Sequence, residues 1–499
     1  MPDEFRNFIG GQWVAARAKR TFESLNPARR DDVVGRFPRS DAEDLEAAVA
    51  AAGQAYPRWR ATPPPLRGEI ILRAALLMKE RKEDLARVMT REMGKVLKEA
   101  RGDVQEGIDM AEYVAGMGRR PFGEAVPSEL PDKICFTWRE PIGVVGLITP
   151  WNFPVAIPSW KLFPALMGGN AVVFKPAEDT PLCATRLVEV LVEAGLPPGV
   201  LNLVHGLGEE VGAALVSHPQ VRAISFTGSS EVGREIATRC GQLLKRVSLE
   251  LGGKNCIVVM DDADLELAVE GATWAAFGTS GQRCTAASRL IVHQKQLVDF
   301  TDLLRQRAET LKVGDGLRDE EVEMGPVINE RQLRRVHSYT EVGVGEKAKL
   351  VTGGRVLDDE EHGRGFFYAP TIFTEVRPDM RIAQEEIFGP TTAIMPVGSL
   401  EQGLEYANST AYGLSMSIYT RDVNRAFRAM RELEAGIVYI NAPTIGAEIQ
   451  LPFGGIKNTG NGHREAGTVA LDEFTEWKSI FVDYSGRLQK AQIDTATAD

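Results

Sequence analysis

Apolar and polar positions change period along the chain, and the change divides it. From about Ser40 the apolar residues recur at helical spacing. Ser40 followed by Glu43 reads as a capping box opening the Ala-rich run 45–55. Pro63-Pro64-Pro65 ends that helix, and an amphipathic stretch with interruptions covers about 66–115. Short apolar bursts then take over. Residues 171–174 (AVVF), 200–204 (VLNLV) and 221–226 (VRAISF) predict buried strands, and 182–194 and 209–217 predict helices between them. Strands alternating with helices of this length predict βαβ units and a parallel, doubly wound sheet. A second alternating stretch begins with NCIVVM at Asn255 and runs to about Ile440, so two α/β domains are expected.

Two segments fit neither domain. Residues 134–140 (ICFTWRE) and 477–484 (WKSIFVDY) are extended in pattern and far apart in the chain. They form either an antiparallel arm that reaches a partner subunit or ordinary edge strands. The polar tail after Ser485 is expected to be poorly ordered.

Composition narrows the function. With 499 residues the chain exceeds the size of a single core. It is 43% hydrophobic and 25% charged, as in soluble globular proteins. Net charge is −11 with acids and bases mixed, and no dense Lys/Arg cluster offers a face for a phosphate backbone, so nucleic acid is not expected as a partner. The start, MPDEFRNFIGGQWV, lacks a basic leader with an apolar core, and the longest apolar stretch, 142–158, is interrupted by Asn152, prolines and glycines. Neither a secretory signal nor a membrane span is expected. Five cysteines without paired spacing suit reduced thiols in the cytoplasm. The histidines at 205, 218, 293, 337, 362 and 463 stand apart, so no metal is expected.

Chemistry concentrates in a few polar intrusions. Cys135 and Cys256 lie in apolar strand-like runs, and Cys183 and Cys240 on predicted helices, whereas Cys284 sits in SGQRCTAASR among glycine and small residues. Small neighbours leave room for a substrate, and Arg283 adds positive charge that would favour a thiolate; a buried structural thiol is the alternative. Glu250 in RVSLELGGKN is either the exposed acid of a half-buried strand or a general base beside the Gly252-Gly253 turn. Asn152, between two prolines in TPWNFP, could donate to an oxyanion or serve a turn. FTGSSEVG follows a strand and opens a helix, so Gly228 and Ser229 could meet a pyrophosphate. Lys175 and Glu178 leave the end of a strand, where ligands of doubly wound sheets bind, and an acid there suits a ribose diol and repels a 2′-phosphate.

Together these segments resemble the aldehyde dehydrogenase superfamily. PWNFP, KPAE, FTGSSEVG, LELGGKN, GQRCTAASR, EEIFGP and PFGGIKNTG occur in that family's order and approximate spacing, within a likeness running from FIGGQW near residue 8 to about Tyr484. The resemblance implies an α/β fold: a Rossmann-like NAD-binding domain (1–121 and 142–252), an α/β catalytic domain (253–453) and a small β oligomerisation arm (122–141 and 470–486) that makes a homodimer or homotetramer. It implies NAD as cofactor, with NADP also admitted, and oxidation of an aldehyde to a carboxylate. Cys284 would be the nucleophile. Asn152 and the Cys284 backbone N–H would hold the oxyanion, and Glu250 would activate the hydrolytic water. Lys175, Glu178, Gly228, Ser229, Glu386, Phe388, Trp151 and Gln332 would contact the cofactor. Trp151 also aligns with the apolar lining, as do Phe153, Trp160 and Phe453.

Arg283, Glu106 and Gly446-Ala-Glu-Ile449 resemble the aminoadipate-semialdehyde branch, in which the matching Arg and Glu recognise a charged end. PWNFP and KPAE follow the general pattern more closely than that branch does, and Leu451-Pro452 departs from its small-residue loop. A charged semialdehyde and a broad range of aliphatic or aromatic aldehydes therefore both stand as substrates, and Arg283 could simply be solvated. An acylating enzyme that passes its thioester to coenzyme A usually lacks the Glu250 base. A member of the fold without turnover is the remaining alternative.

Overall fold

Four strands, Val144–Ile148, Ala171–Lys175, Asn255–Val259 and Ser415–Tyr419, are buried at every position. They have no exposed face, which is why they read as continuous apolar runs and why helices must cover both sides of their sheets. The computed structural model describes residues 3–120 and 122–493. Two seven-stranded sheets organise it.

The first sheet runs Arg246–Glu250, Val221–Thr227, Val144–Ile148, Ala171–Lys175, Leu201–Leu203, then Asn7–Ile9 and Gln12–Val14. Its first five strands are parallel and the two N-terminal ones antiparallel. The chain steps outward from Val144–Ile148 in one direction and later in the other, so the order reverses between Ile148 and Phe226, which are partners in register. Ligands of such sheets bind at that reversal, beyond the carboxyl ends of the strands. The second sheet runs Lys349–Thr352, Thr371–Thr374, Thr391–Val397, Ala287–His293, Asn255–Val259, Ser415–Tyr419 and Ile437–Ile440, parallel except for the first.

The first capping box is shifted by one residue from its expected place. Asp41, not Ser40, caps the helix Ala42–Ala61: its side chain accepts from the Glu43 N–H, and its own N–H donates to Asp44. Ser40 is buried and accepts from the Asn7 amide at 2.8 Å, so its hydroxyl is committed elsewhere. The amphipathic stretch that follows is three helices, Pro64–Glu80, Lys82–Met93 and Leu97–Met117. The predicted helix 209–217 opens as one wide turn, Gly208–Gly212, before becoming α-helical at Ala213–Ser217.

Thr475–Asp483 pairs antiparallel with the whole of Lys133–Pro141, and Ala125–Pro127 flanks the other side. This separate sheet leaves Trp477 55% and Phe481 66% exposed. Of the polar tail, Gln489 donates to Pro131 O and Gln492 to Glu129, which fastens residues up to 493 to this sheet; the remainder lies outside the described residues. No helix among the described residues is long and apolar enough to cross a membrane.

Candidate active site

Neighbouring strands of the first sheet deliver their loops to one edge. Ile148 leads into Thr149–Pro154, Lys175 into Glu178, Thr227 into Ser229, and Glu250 ends its strand opposite Thr227. Lys175 Nζ donates to Glu178 at 2.9 Å. Ser229 caps the helix Ser230–Gln242, its Oγ accepting from the Val232 N–H at 3.3 Å. The Gly228 N–H is already committed, donating to Glu250 O at 3.0 Å. Glu386 reaches this edge from the other half of the chain and accepts from the Gly253 N–H at 2.9 Å. A Cβ on Gly252 would lie 2.4 Å from the Glu386 carboxylate, so only glycine permits that approach. Phe388 stands edge-on to Trp151 at 5.4 Å. Gln332 donates to Ile387 O and to Phe388 O at 2.6 Å, which spends its amide on the loop rather than on open space. A strand-end edge with a capped helix N-terminus, an acid–lysine pair and a loop-borne carboxylate fits a dinucleotide.

Cys284 comes from the second half of the chain. The helix Leu265–Phe277 ends in a turn whose residues Thr279, Ser280 and Gly281 have φ of 52°, 56° and 66°. A Cβ on Gly281 would lie 2.1 Å from Gly389 O. The turn brings Gln282 O within 3.1 Å of the Asn152 amide, and Asn152 is only 3% exposed. The bond leaves one N–H of that amide free, and the Cys284 N–H donates to no protein acceptor among the described residues. Cys284 itself is partly accessible.

The thiol and Glu250 line one cavity of about 110 Å³, with Phe153, Trp160 and Phe453 on its apolar side. Trp160 packs edge-on against Phe453 at 4.8 Å. Arg283 and Glu106 line the same cavity. Glu106 is half-buried, and burial together with Asp103 raises its carboxyl to about 8.

Three expectations from the residues alone are corrected here. Glu250 is not the exposed acid of a half-buried strand: it is 3% exposed and its carboxylate has no hydrogen-bond partner among the described residues. Arg283 is not solvated, because its side chain is 11% exposed and pairs with Glu99 at 2.8 Å. Nor does it make the surroundings of Cys284 positive. Burial first, then Glu250, Glu386, Glu465 and Glu106, pushes that thiol up to about 12.

Sequence reasoning missed the support of Glu250. Lys161 and Glu465 form a buried ion pair, and Lys161 Nζ also donates to Ser225 at 2.7 Å. Glu473 is buried beside Ser225 and Ser248. Burial raises Glu250 well above the usual carboxylate range; Glu465 adds to this and Lys161 opposes it. A lysine inside the apolar helix AIPSWKLFPALMG was the available signal. Among the described residues no group of three or more His, Cys, Asp or Glu is placed to hold a metal.

Comparison with known proteins places this geometry among relatives. The aldehyde dehydrogenase family matches residues 13–480. The chain is 44% identical over 478 residues to the α-ketoglutaric semialdehyde dehydrogenase of Bacillus subtilis, covering 96% of this chain and 98% of that one. It is 43% identical over 485 residues to the α-ketoglutarate semialdehyde dehydrogenase of Haloferax volcanii, covering 97% and 100%. Betaine aldehyde dehydrogenase from Staphylococcus aureus, solved with NAD+, superposes with a TM-score of 0.94 at 36% identity, over 97% of this chain and 95% of that one.

Proposed function

The chain belongs to the aldehyde dehydrogenase family, and we propose that it oxidises a short aldehyde carrying a carboxylate, α-ketoglutarate semialdehyde, to the dicarboxylate. Cys284 loses its thiol proton to solvent as its sulfur adds to the carbonyl carbon, and the free Asn152 N–H and the Cys284 backbone N–H hold the resulting oxyanion. Covalent addition is needed because a plain aldehyde has no hydroxyl to deprotonate; the thiohemiacetal oxyanion is what expels hydride and leaves a thioester. Lys175, Glu178, Ser229 and Glu386 would hold NAD, which would supply the hydride acceptor. Glu250 then takes a proton from the water that attacks the thioester, and the product leaves as a carboxylate while Cys284 recovers its thiol.

The observation that carries this reading is that Cys284, Glu250 and Asn152, from three distant segments, converge on one cavity and the loop beside it. A volume of about 110 Å³ is in the class of cavities that hold one small ring, which favours a short substrate. The semialdehyde relatives favour the charged end over a plain aliphatic chain. The aminoadipate-type semialdehyde and broad-range readings remain the competitors. In the same reading residues 1–121 with 142–252 bind NAD, 253–453 carry the nucleophile, and the exposed arm (122–141 and 470–486) joins subunits of a cytoplasmic dimer or tetramer.

The test follows NADH formation on mixing the protein and NAD with α-ketoglutarate semialdehyde, hexanal, benzaldehyde or aminoadipate semialdehyde. The charged α-keto substrate should give the highest kcat/KM, by about tenfold or more over hexanal. Cys284→Ala should abolish turnover and leave NAD binding, read by protein fluorescence, in place. Turnover in that variant would refute the nucleophile, and equal kcat/KM across the panel would refute the substrate.

A further inference from the structure

The turn before Cys284 is an unlikely conformation for its sequence. Left-handed φ suits Gly281, but Thr279 is β-branched, and a β-branched residue there is a genuine outlier that persists only when its surroundings over-determine it. Ser280 is held by Gly325 O at 2.7 Å, and Thr279 by one carboxylate. Glu99, in the first turn of the helix Leu97–Met117, accepts from the Thr279 N–H with both oxygens at 2.9 Å, and from the Thr279 hydroxyl at 3.2 Å. The same carboxylate holds Arg283 at 2.8 Å, and Arg283 Nε donates to Thr279 Oγ1 at 3.0 Å. Thr279 O in turn accepts from the Gln282 amide at 3.2 Å, and Gln282 O accepts from Asn152. A chain of bonds therefore runs from Glu99 through the strained turn to the oxyanion donor.

We infer that Glu99 is a positioning residue with two separable effects: it pins the left-handed turn that presents Cys284, and it neutralises Arg283 so that the cavity wall carries no free cation. The inference rests on the reading of Cys284 as nucleophile. Its reach into specificity is specific to the pair: without Glu99, Arg283 would face the cavity as an uncompensated positive charge beside Phe153, whose ring lies 5.4 Å from its guanidinium.

Three variants separate the effects: Glu99→Ala, Glu99→Ala with Thr279→Gly, and Glu99→Gln. Each is assayed with hexanal and α-ketoglutarate semialdehyde, and Cys284 alkylation by iodoacetamide is timed without NAD. Glu99→Ala should lower kcat on both aldehydes by about 10²-fold, the loss expected of a misplacement near 1 Å, and should change the alkylation rate. Adding Thr279→Gly should restore most of both, because glycine adopts φ near +52° without strain. Glu99→Gln keeps an acceptor but not the charge, so kcat on hexanal should stay within about threefold of the parent while KM for the anionic substrate falls about tenfold and KM for hexanal does not move. Parent-like kcat in Glu99→Ala, or no rescue by glycine, overturns the pinning. An unmoved ratio of the two KM values in Glu99→Gln overturns the neutralisation, and that soluble variant carries the test if Glu99→Ala does not fold. Cys284→Ala distinguishes the two levels: if it stays active the nucleophile reading fails, and if it is dead while Glu99→Ala is normal only this inference fails.

Discussion

On the wall of the cavity that carries Glu250, three buried carboxylates, Glu250, Glu465 and Glu473, share the buried cation Lys161, with Arg464 and Arg246 opposing more weakly. On the wall that carries Arg283, most charges come in pairs, Lys95 with Asp103 at 2.8 Å and Arg283 with Glu99 at 2.8 Å, with Glu106 beside them. The difference is functional in kind. Surplus acid in a dry place resists ionising, so burial and mutual repulsion raise all three carboxyls and couple their titrations. Balanced pairs have no such surplus. Asp103 also accepts from the Ala156 N–H at 2.7 Å, and Lys95 lies 3.7 Å from the centre of the Phe153 ring, so the second wall fixes geometry instead.

The largest effect should come from the acid at the edge of the frustrated wall. Glu250→Gln keeps the size and removes the base, so hydrolysis of the thioester should slow about 10³-fold while acylation is little changed. Stopped-flow mixing with NAD and aldehyde should then show a burst of NADH near one equivalent per site, followed by a slow phase. Equal loss in both phases would mean that Glu250 does not act on water and that the two walls do not differ as described.

The paired wall should respond in stability. Asp103→Asn retains an acceptor for the Ala156 N–H but leaves Lys95 charged and buried, which costs about 3–5 kcal/mol. Urea unfolding at fixed protein concentration reads the loss. Lys95→Met combined with Asp103→Asn should recover most of it, since a buried pair replaced on both sides is often neutral. A double variant no more stable than the single one would remove the distinction between balance and frustration.

How much of this was legible in the chain follows from distance. The parallel sheets were readable because a strand buried on both faces is a continuous apolar run. The arm was readable as strands, but its pairing joins Thr475–Asp483 to Lys133–Pro141, too remote for any local pattern. Cys284 announced itself through small neighbours, whereas Glu250 and Asn152 were ambiguous until seven motifs stood in one order. Arg283 was read with the wrong consequence, because the carboxylate that cancels it lies on a helix far upstream. Lys161, Glu465 and Glu473 escaped altogether: each is an ordinary charged residue until folding buries the three together.

Lys161 offers the finest probe of the frustrated wall. With Arg464 it keeps Glu250 from rising further, and its effect is the larger of the two, so Lys161→Met should raise that carboxyl again. Only the ionised carboxylate can take a proton from water. The limb of the pH profile on which hydrolysis accelerates as pH rises should therefore move to higher pH, by about one unit or more, with the rate at neutral pH down about tenfold per unit. Raising the pH should restore the rate, which simple damage to packing would not allow. Glu465→Gln works in the opposite sense: it removes a repelling charge and leaves Lys161 nearer to Glu250 alone, so the same limb should move to lower pH. If both variants lowered the rate uniformly at every pH, the cluster would be a structural ion pair no different in kind from Lys95 and Asp103 across the cavity.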